Sequence, residues 1–243
     1  MVRAQSLYLW GPWFESKRTD KSNYAETYTQ HLRDYFSTFW YIDNMVKLVN
    51  QTIFANKIKG KKLYIFNANN IRSLFGVSAV AASALLHRYK KQGFILQLKQ
   101  GFYVFPDALP PDVYVANKLY TPSYISLEFA LSYHGVIPET VYEITSVTTK
   151  ATRHFEALGK IFSYRKIKKT AYTGYEIQKQ QGLSFYIADA EKAFVDANYL
   201  RLKNKQKPIS RFNKEKINPG KALRYAKLFD NVKLISIIKS TLR

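Results

Sequence analysis

Residues 67–105 read NANNIRSLFGVSAVAASALLHRYKKQGFILQLKQGFYVF, and this stretch decides the fold predicted for the N-terminal half of the chain. Asn67 or Asn69 can cap a short helix, because an asparagine side chain accepts a hydrogen bond from a free backbone N–H group of the first turn. Gly76 ends that helix, since glycine readily adopts the left-handed conformation found after a helix. Ser78 then caps a second helix, so the stretch predicts two helices joined by a tight turn.

A β-hairpin is predicted directly after the second helix. That helix is expected to run to about Lys91 and to end at Gly93. Two runs rich in β-branched and aromatic residues follow, Phe94–Leu98 and Phe102–Phe105. The short turn between them contains Gly101, and two such runs around a glycine turn are typical of a hairpin.

Two further elements precede this stretch. Val46–Ile58 has apolar side chains at nearly helical spacing, and Leu63–Phe66 is predicted as a short strand. Helix, strand, helix, tight turn, helix and hairpin is the element order of a winged helix-turn-helix, which we expect over residues 45–106. The fold class predicted for the chain is α+β, with this domain first, a mixed α/β domain over residues 112–243 second, and a basic helical tail at its end.

The charge of the chain favours a polyanionic partner. Lys and Arg number 38 against 17 Asp and Glu, which gives a net charge of +21, and Val46–Phe105 contains ten bases and no acid. Phosphates neutralised by such a surface release counterions, so nucleic acid is the expected partner, as double-stranded DNA. An anionic membrane surface is the alternative. A membrane-spanning helix is excluded, because the chain has no run of about 18 apolar residues.

Cysteine is absent from the chain. This removes disulfides, thiolate nucleophiles and cysteine-based metal sites together, and it favours a cytoplasmic protein. The four histidines are scattered without the spacing of metal ligands, so neither a metal nor a cofactor is expected.

The outer face of the second helix carries the candidate DNA contacts. A helix that enters the major groove needs small or polar residues on that face, and bases are expected at its end and on the wing, where phosphates lie. Ala81, Leu85 and Tyr89 are predicted to be buried, whereas Val80 and Ala82 are predicted to face outward. The candidate DNA-binding residues are Ser78, Ala79, Ser83, His87, Arg88, Lys90, Lys91, Lys99 and Gln100. Winged helices also serve as protein-interaction modules, which is the alternative for this domain.

Residues 1–44 differ in composition from the rest of the chain. They hold five bases and five acids, and all three tryptophans lie among them. Two interpretations are open. The segment is an aromatic arm that packs on the body of the protein, or Met45 is the true initiator and the segment is not part of the protein.

The second half alternates strands and helices after a predicted linker at Asp107–Asp112. Ser126 is expected to cap the helix Leu127–His134, and Asp189 is expected to cap a helix reaching Leu200. The tail, residues 201–243, holds 13 bases and two acids, and its helical spacing predicts a folded pair of helices. The predicted strands are Val141–Thr148, Lys160–Ile167, Tyr172–Ile177 and Leu183–Ile187.

Five collinear motifs in this half resemble the AbiEi-type antitoxins and transcriptional regulators of type IV toxin–antitoxin systems. The resemblance covers roughly residues 45–205 and places the winged helix-turn-helix where that family has it. The motifs are PSYISLEFALSYHGVIPE (122–139), ITSVTTK (144–150), FSYR (162–165), GYE (174–176) and IADAEKAFVD (187–196).

The resemblance implies a repressor that binds inverted repeats upstream of its own operon. It also implies the neutralisation of a nucleotidyltransferase-like toxin, of the AbiEii type, without a stable complex, and a role in abortive infection by phage. The wider family includes solitary regulators, so that alternative stays open. The C-terminal half also has a candidate second basic surface, formed by Arg153, Arg165, Lys166, Lys168 and Lys169. Three roles are open for it: contact with the toxin, competition for the toxin's substrate, or an extension of the DNA contact.

An enzyme is the alternative class of function. Asp189, Glu191 and Lys192 are the residue types of a metal-dependent nuclease, in which carboxylates bind the cation and a lysine lies near the attacking water. Here the three lie together at one helix start, where capping and the helix dipole account for the two acids. We therefore expect a regulator without catalytic residues, and a DNA-processing enzyme remains the second interpretation.

Overall fold

The computed structural model describes residues 50–243 together with Gln30. The fold of the described residues is α+β, as predicted. The predictions about residues 1–44 and Met45 lie outside the described residues.

The described residues from Asn50 to Phe105, called the first half below, contain three helices and a hairpin in the predicted order. The elements are α1 (Gln51–Gly60), α2 (Ala68–Phe75), α3 (Ala79–Lys91), β1 (Leu96–Lys99) and β2 (Phe102–Val104). The strand predicted at 63–66 is reduced to one bridge, in which the backbone of Phe66 pairs with that of Tyr103.

The caps of α2 and α3 follow from the sequence. The Asn67 side chain accepts a hydrogen bond from the Asn70 N–H at 3.0 Å, and the Asn70 side chain accepts one from the Asn67 N–H at 2.9 Å. This reciprocal capping box settles the choice of cap in favour of Asn67. Gly76 ends α2 with a φ of 65°, and the Ser78 hydroxyl accepts from the Ala81 N–H at 3.1 Å. The tight turn between α2 and α3 is thus stabilised from both sides.

An aromatic cluster forms the core of this half. The ring of Phe54 on α1 lies 5.9 Å from Phe66, 5.8 Å from Phe75, 4.8 Å from Tyr89 and 6.0 Å from Phe105, measured between centroids. These rings come from all three helices, from the bridge at Phe66 and from the residue after the hairpin. Aromatic pairs at such distances add to the stabilisation that burial itself provides, so the cluster fixes how the helices pack.

A six-stranded mixed sheet forms the centre of the C-terminal half. Its order is β5-β6-β4-β3-β8-β7, in which the pairs β4–β6 and β3–β8 are parallel and the others antiparallel. The strands are β3 (Ser123–Ile125), β4 (Ile144–Thr148), β5 (Arg153–Ala157), β6 (Lys160–Lys166), β7 (Tyr175–Gln180) and β8 (Leu183–Ala188). The helices are α4 (Asp112–Leu119), α5 (Leu127–Tyr133), α6 (Ala190–Lys203), α7 (Pro219–Lys227) and α8 (Val232–Thr241).

Helices cover both faces of this sheet. The strand register places the side chains of Tyr124 and Tyr164 on opposite faces. The Tyr164 hydroxyl donates to the Ala116 carbonyl of α4 at 2.6 Å, whereas the Tyr124 hydroxyl donates to Asp196 of α6 at 3.1 Å. Helices α4 and α6 therefore lie on opposite faces, and α5, α7 and α8 pack against α6.

The hairpin of the first half packs on the sheet of the second. Leu98 and Val104 belong to the same hydrophobic core as the sheet residues, and β1 contacts β5. An ion pair between Lys59 and Asp107, at 2.6 Å, spans the junction. These contacts therefore attach the hairpin, and with it the first half, to the sheet of the second half.

Several predicted elements need correction. The predicted linker is short, because a helix begins at Asp112. The strand Arg153–Ala157 was not predicted, since its exposed, charged residues lack a clear alternation of apolar and polar side chains. Ser126 precedes α5 but does not cap it through its side chain, because its hydroxyl donates to Asp196 at 2.9 Å. The helix pair predicted in the tail is confirmed as α7 and α8.

Candidate nucleic-acid interface

Helix α3 presents one exposed face and buries the other. Ala81, Leu85 and Tyr89 are buried, as predicted. The opposite face exposes small or polar side chains and one valine, whose side chain is 76% exposed; these residues are Ala79, Val80, Ser83, Ala84 and His87. Ala82 was predicted to face outward, and this is wrong, because it is completely buried. Ala82 precedes Leu85, Leu86 and Tyr89 by three, four and seven residues, so helical spacing puts it on the buried face.

Bases cluster at the C-terminal end of this exposed face. Arg88, Lys90 and Lys91 lie in the last turn of α3, where cations also interact favourably with the helix dipole. Lys91 is exposed, while the guanidinium of Arg88 lies 5.3 Å from the ring of Tyr89. Lys90 donates to the side chain of Gln97 on β1, so the end of α3 is tied to the hairpin.

The two wing residues predicted to contact DNA, Lys99 and Gln100, have different surroundings in the structure. Gln100 is exposed at the turn. Lys99 instead donates to the Leu119 carbonyl at the end of α4, and its ammonium lies 4.3 Å from the ring of Phe102 and 5.4 Å from that of Phe155. The pKa of Lys99 is lowered mainly by burial and also by repulsion from Lys150. The structure therefore turns Lys99 towards the second half of the chain, and not outward from the wing.

Among the described residues, acids offset little of the positive charge of the segment that contains this face. No acid occurs between Asn50 and Phe105, and the ion pair from Lys59 to Asp107 is the one that this segment makes with the described residues. Ser78 and Arg88 are half-buried, and the remaining candidates on α3 are exposed. The structure brings Ala79, Ser83 and His87 to one helix face with the basic last turn beside it.

The second basic surface does not lie on a single face. Arg153, Arg165, Lys166, Lys168 and Lys169 are all exposed. In the strand register, however, Arg165 points to the face of Ser163, whereas Arg153 and Lys166 share the face of Tyr164. The five residues thus line an edge of the sheet and reach both of its faces.

The three residues considered for a nuclease site each have contacts that hold the fold together. Asp189 accepts hydrogen bonds from the Lys192 N–H at 2.7 Å and from the Tyr225 hydroxyl at 2.7 Å, which caps α6 and ties it to α7. Lys221 lies 3.1 Å from the Asp189 carboxylate and 2.9 Å from that of Glu191. Burial would raise the pKa of Glu191, but hydrogen bonds from Lys221 and from the backbone outweigh burial and lower it.

Lys192 forms a buried ion pair that the sequence reasoning missed. Its ammonium contacts Asp196 one turn later on α6, and both side chains are 0% exposed. The hydroxyls of Tyr124 and Ser126 also donate to this carboxylate. Complete burial raises the pKa of Asp196, although Lys192 and the two hydroxyls oppose the shift. An acid four residues after a lysine, both within an apolar helix face, was the available sequence clue.

Residues 50–243 contain no group of three or more His, Cys, Asp or Glu side chains that could hold a metal ion. Within the same residues, no helix has the length and apolar character needed to cross a membrane. In comparisons with known proteins, the chain matches no protein family and no curated protein.

Proposed function

We propose that this protein is a DNA-binding transcriptional repressor whose N-terminal half is a winged helix-turn-helix. In this proposal α3 is the recognition helix, α1 and α2 support it, and the β1–β2 hairpin is the wing. The observation that carries the proposal is the exposed, acid-free face of α3, which ends in a basic turn.

The dimensions and chemistry of α3 suit the major groove. The groove is about 12 Å wide and admits one helix. Near its N-terminus the helix exposes Ala79, Val80 and Ser83, which are small enough to approach base edges. Ala79 and Val80 suit apolar contacts with thymine methyl groups, and Ser83 and His87 suit polar contacts with base edges. Lys91 and Arg88 then lie where backbone phosphates pass.

The contacts of Asp189, Glu191 and Lys192 favour a regulator over a nuclease. Metal-dependent hydrolysis needs carboxylates free to bind the cation and a lysine free to approach water. Here Lys221 forms ion pairs with the carboxylates of Asp189 and Glu191, and the buried Lys192 is paired with Asp196. These contacts give all three residues a structural role.

We further propose that the protein is the antitoxin of a type IV system, as its resemblance to the AbiEi-type family implies. The partner is then a nucleotidyltransferase-like toxin encoded beside it. The excess of positive charge in residues 201–243, 13 bases against two acids, supports a second binding surface apart from the DNA contact. A solitary regulator is the alternative within the same fold.

Two experiments test these proposals. A gel shift on the protein's own upstream region, run beside a divalent-metal cleavage assay on the same DNA, separates a repressor from a nuclease. Growth rescue during induction of the neighbouring toxin then tests the antitoxin role, using the full chain and its Ser83→Glu variant. Rescue by a variant that no longer binds the operator assigns neutralisation to the C-terminal half. Rescue by the parent alone means that protection comes through transcription.

A further inference from the structure

A cleft lies between α6 and the sheet, away from the proposed DNA-binding helix. Its volume is about 270 Å³, and its floor is formed by Thr145 of β4 together with Ser163 and Arg165 of β6. Arg201 and Asn204, near the end of α6, line its wall. A neighbouring recess of about 260 Å³ shares four residues with it, Glu143, Thr152, Ser163 and Arg165. The two openings therefore meet at these four residues.

Ser163 is a buried polar residue whose hydroxyl has no partner in the described part of the chain. It is 3% exposed, and its hydroxyl makes no hydrogen bond to the described residues. The strand register places it on the same sheet face as Thr145 and His154, and it lines both openings. By contrast, the neighbouring Thr145 hydroxyl donates to the Ser126 carbonyl at 2.7 Å. A buried hydroxyl that lacks a partner is costly, so a ligand that accepts its hydrogen bond gains affinity.

The charges around the two openings favour an anion. Five bases and two carboxylates, Glu128 and Glu143, line them, and Glu128 is already paired with Arg201 at 3.3 Å. Two of the five bases, Arg153 and Lys166, belong to the opposite sheet face in the strand register, so Arg165, Arg201 and Lys203 contribute most of the positive charge. Arg165 makes no ion pair with the described residues, and it lies two residues after Ser163 on the same face of β6. The five bases are Arg153, Arg165, Lys166, Arg201 and Lys203.

We propose that this cleft binds a phosphate group, with Arg165 and the Ser163 hydroxyl as its donors. A guanidinium presents paired donors that match phosphate oxygens, and a surplus of cations suits a dianion better than a single carboxylate. The cleft is smaller than the roughly 300–1,000 Å³ typical of drug-sized ligands, so it fits a phosphate with little more than an attached sugar. The phosphate is that of a free nucleotide or of a nucleic-acid strand end, which share this chemistry.

Isothermal titration calorimetry on the full chain tests the proposal. The probes are inorganic phosphate, adenosine 5′-monophosphate, and one short DNA single strand in its 5′-phosphorylated and 5′-hydroxyl forms. We expect saturable binding of at least one phosphate monoester. Tighter binding of the nucleotide identifies a nucleotide site, and a preference for the 5′-phosphorylated over the 5′-hydroxyl strand identifies a strand-end site.

Three variants assign the binding to the cleft. Arg165→Ala is expected to weaken it at least tenfold, whereas Arg224→Ala, which removes an exposed arginine of α7, leaves it unchanged. Ser163→Ala removes one hydroxyl, and it is expected to weaken binding several-fold without lowering the melting temperature. The proposal is overturned if no probe saturates, if Arg165→Ala and Arg224→Ala weaken binding equally, or if Ser163→Ala leaves binding unchanged.

Discussion

Removing the charge of Lys192 tests the structural role of its ion pair. In Lys192→Met an unbranched apolar side chain replaces the stem, but Asp196 loses its cation, and the rings of Tyr124 and Phe229 lose the ammonium that lies 5.9 and 4.8 Å from their centroids. Breaking a buried pair on one side costs about 3–5 kcal/mol. Because the hydroxyls of Tyr124 and Ser126 still donate to Asp196, we expect the lower end, about 3 kcal/mol at pH 8. That is a large fraction of the stability of a typical domain.

The loss of stability in Lys192→Met should increase as pH rises. The folded-state pKa of Asp196 is already raised by burial above its ordinary 3.8, and loss of Lys192 raises it further. A carboxyl with a raised folded-state pKa destabilises the fold as pH rises from the unfolded-state pKa through the folded-state value. The deficit of Lys192→Met should therefore be small near pH 4 and complete near pH 8.

Urea unfolding followed by far-ultraviolet circular dichroism measures both effects. The matched control is Lys192→Met combined with Asp196→Asn, which removes the second charge but keeps an acceptor for Tyr124 and Ser126. This pair should recover most of the lost stability at pH 8, since the two residues are coupled. A deficit below about 1 kcal/mol, or one equal at both pH values, would refute the reasoning.

Three further predictions concern the interface and the ion cluster. Ser83→Glu should weaken operator binding at least 100-fold in a gel shift, since it places a carboxylate among phosphates. The control Ser210→Glu, on an exposed loop, should bind like the parent. Equal binding by both variants would exclude α3 as the recognition helix. Leu85→Glu should abolish the cooperative melting transition, because it buries a charge in the core, and a native melting curve would place Leu85 outside it. Lys221→Met should make the melting temperature depend less on pH in the acid range. The pKa of Glu191 lies below its ordinary 4.5 because hydrogen bonds from Lys221 and the backbone outweigh burial, so its contribution is present above that pH and lost below it. Melting temperatures across the acid range check this, and parallel curves for parent and variant would contradict it.

Local sequence features were enough to predict α3. The Ser78 cap, the apolar spacing of Ala81, Leu85 and Tyr89, and the glycine at residue 93 each act within a few residues of one another. The hairpin was predicted for the same reason, since its turn and its two strands are adjacent in the chain. The burial of Ala82 follows from the same local spacing, because the residue lies three, four and seven positions before Leu85, Leu86 and Tyr89; the prediction that it faces outward overlooked this spacing.

Contacts from distant parts of the chain explain the other errors. Lys99 was predicted on the wing tip, but its partner carbonyl belongs to Leu119, twenty residues later. Ser126 was predicted as a cap, but its hydroxyl donates to an aspartate seventy residues later, at Asp196. The floor of the cleft at Ser163 likewise depends on strand pairing across the sheet. None of these partners is visible in a local pattern of residues.

Binding of the protein's own upstream DNA at increasing salt tests the central claim most directly. Fluorescence anisotropy is measured with that duplex and with a shuffled duplex of equal length. If the acid-free face of α3 and its surroundings make about six phosphate contacts, affinity should fall roughly a thousandfold between about 50 and 200 mM salt. The upstream duplex should also bind more tightly than the shuffled one at every salt concentration. An affinity that is unchanged across this range, or equal for both duplexes, would contradict a sequence-specific repressor that reads DNA through α3.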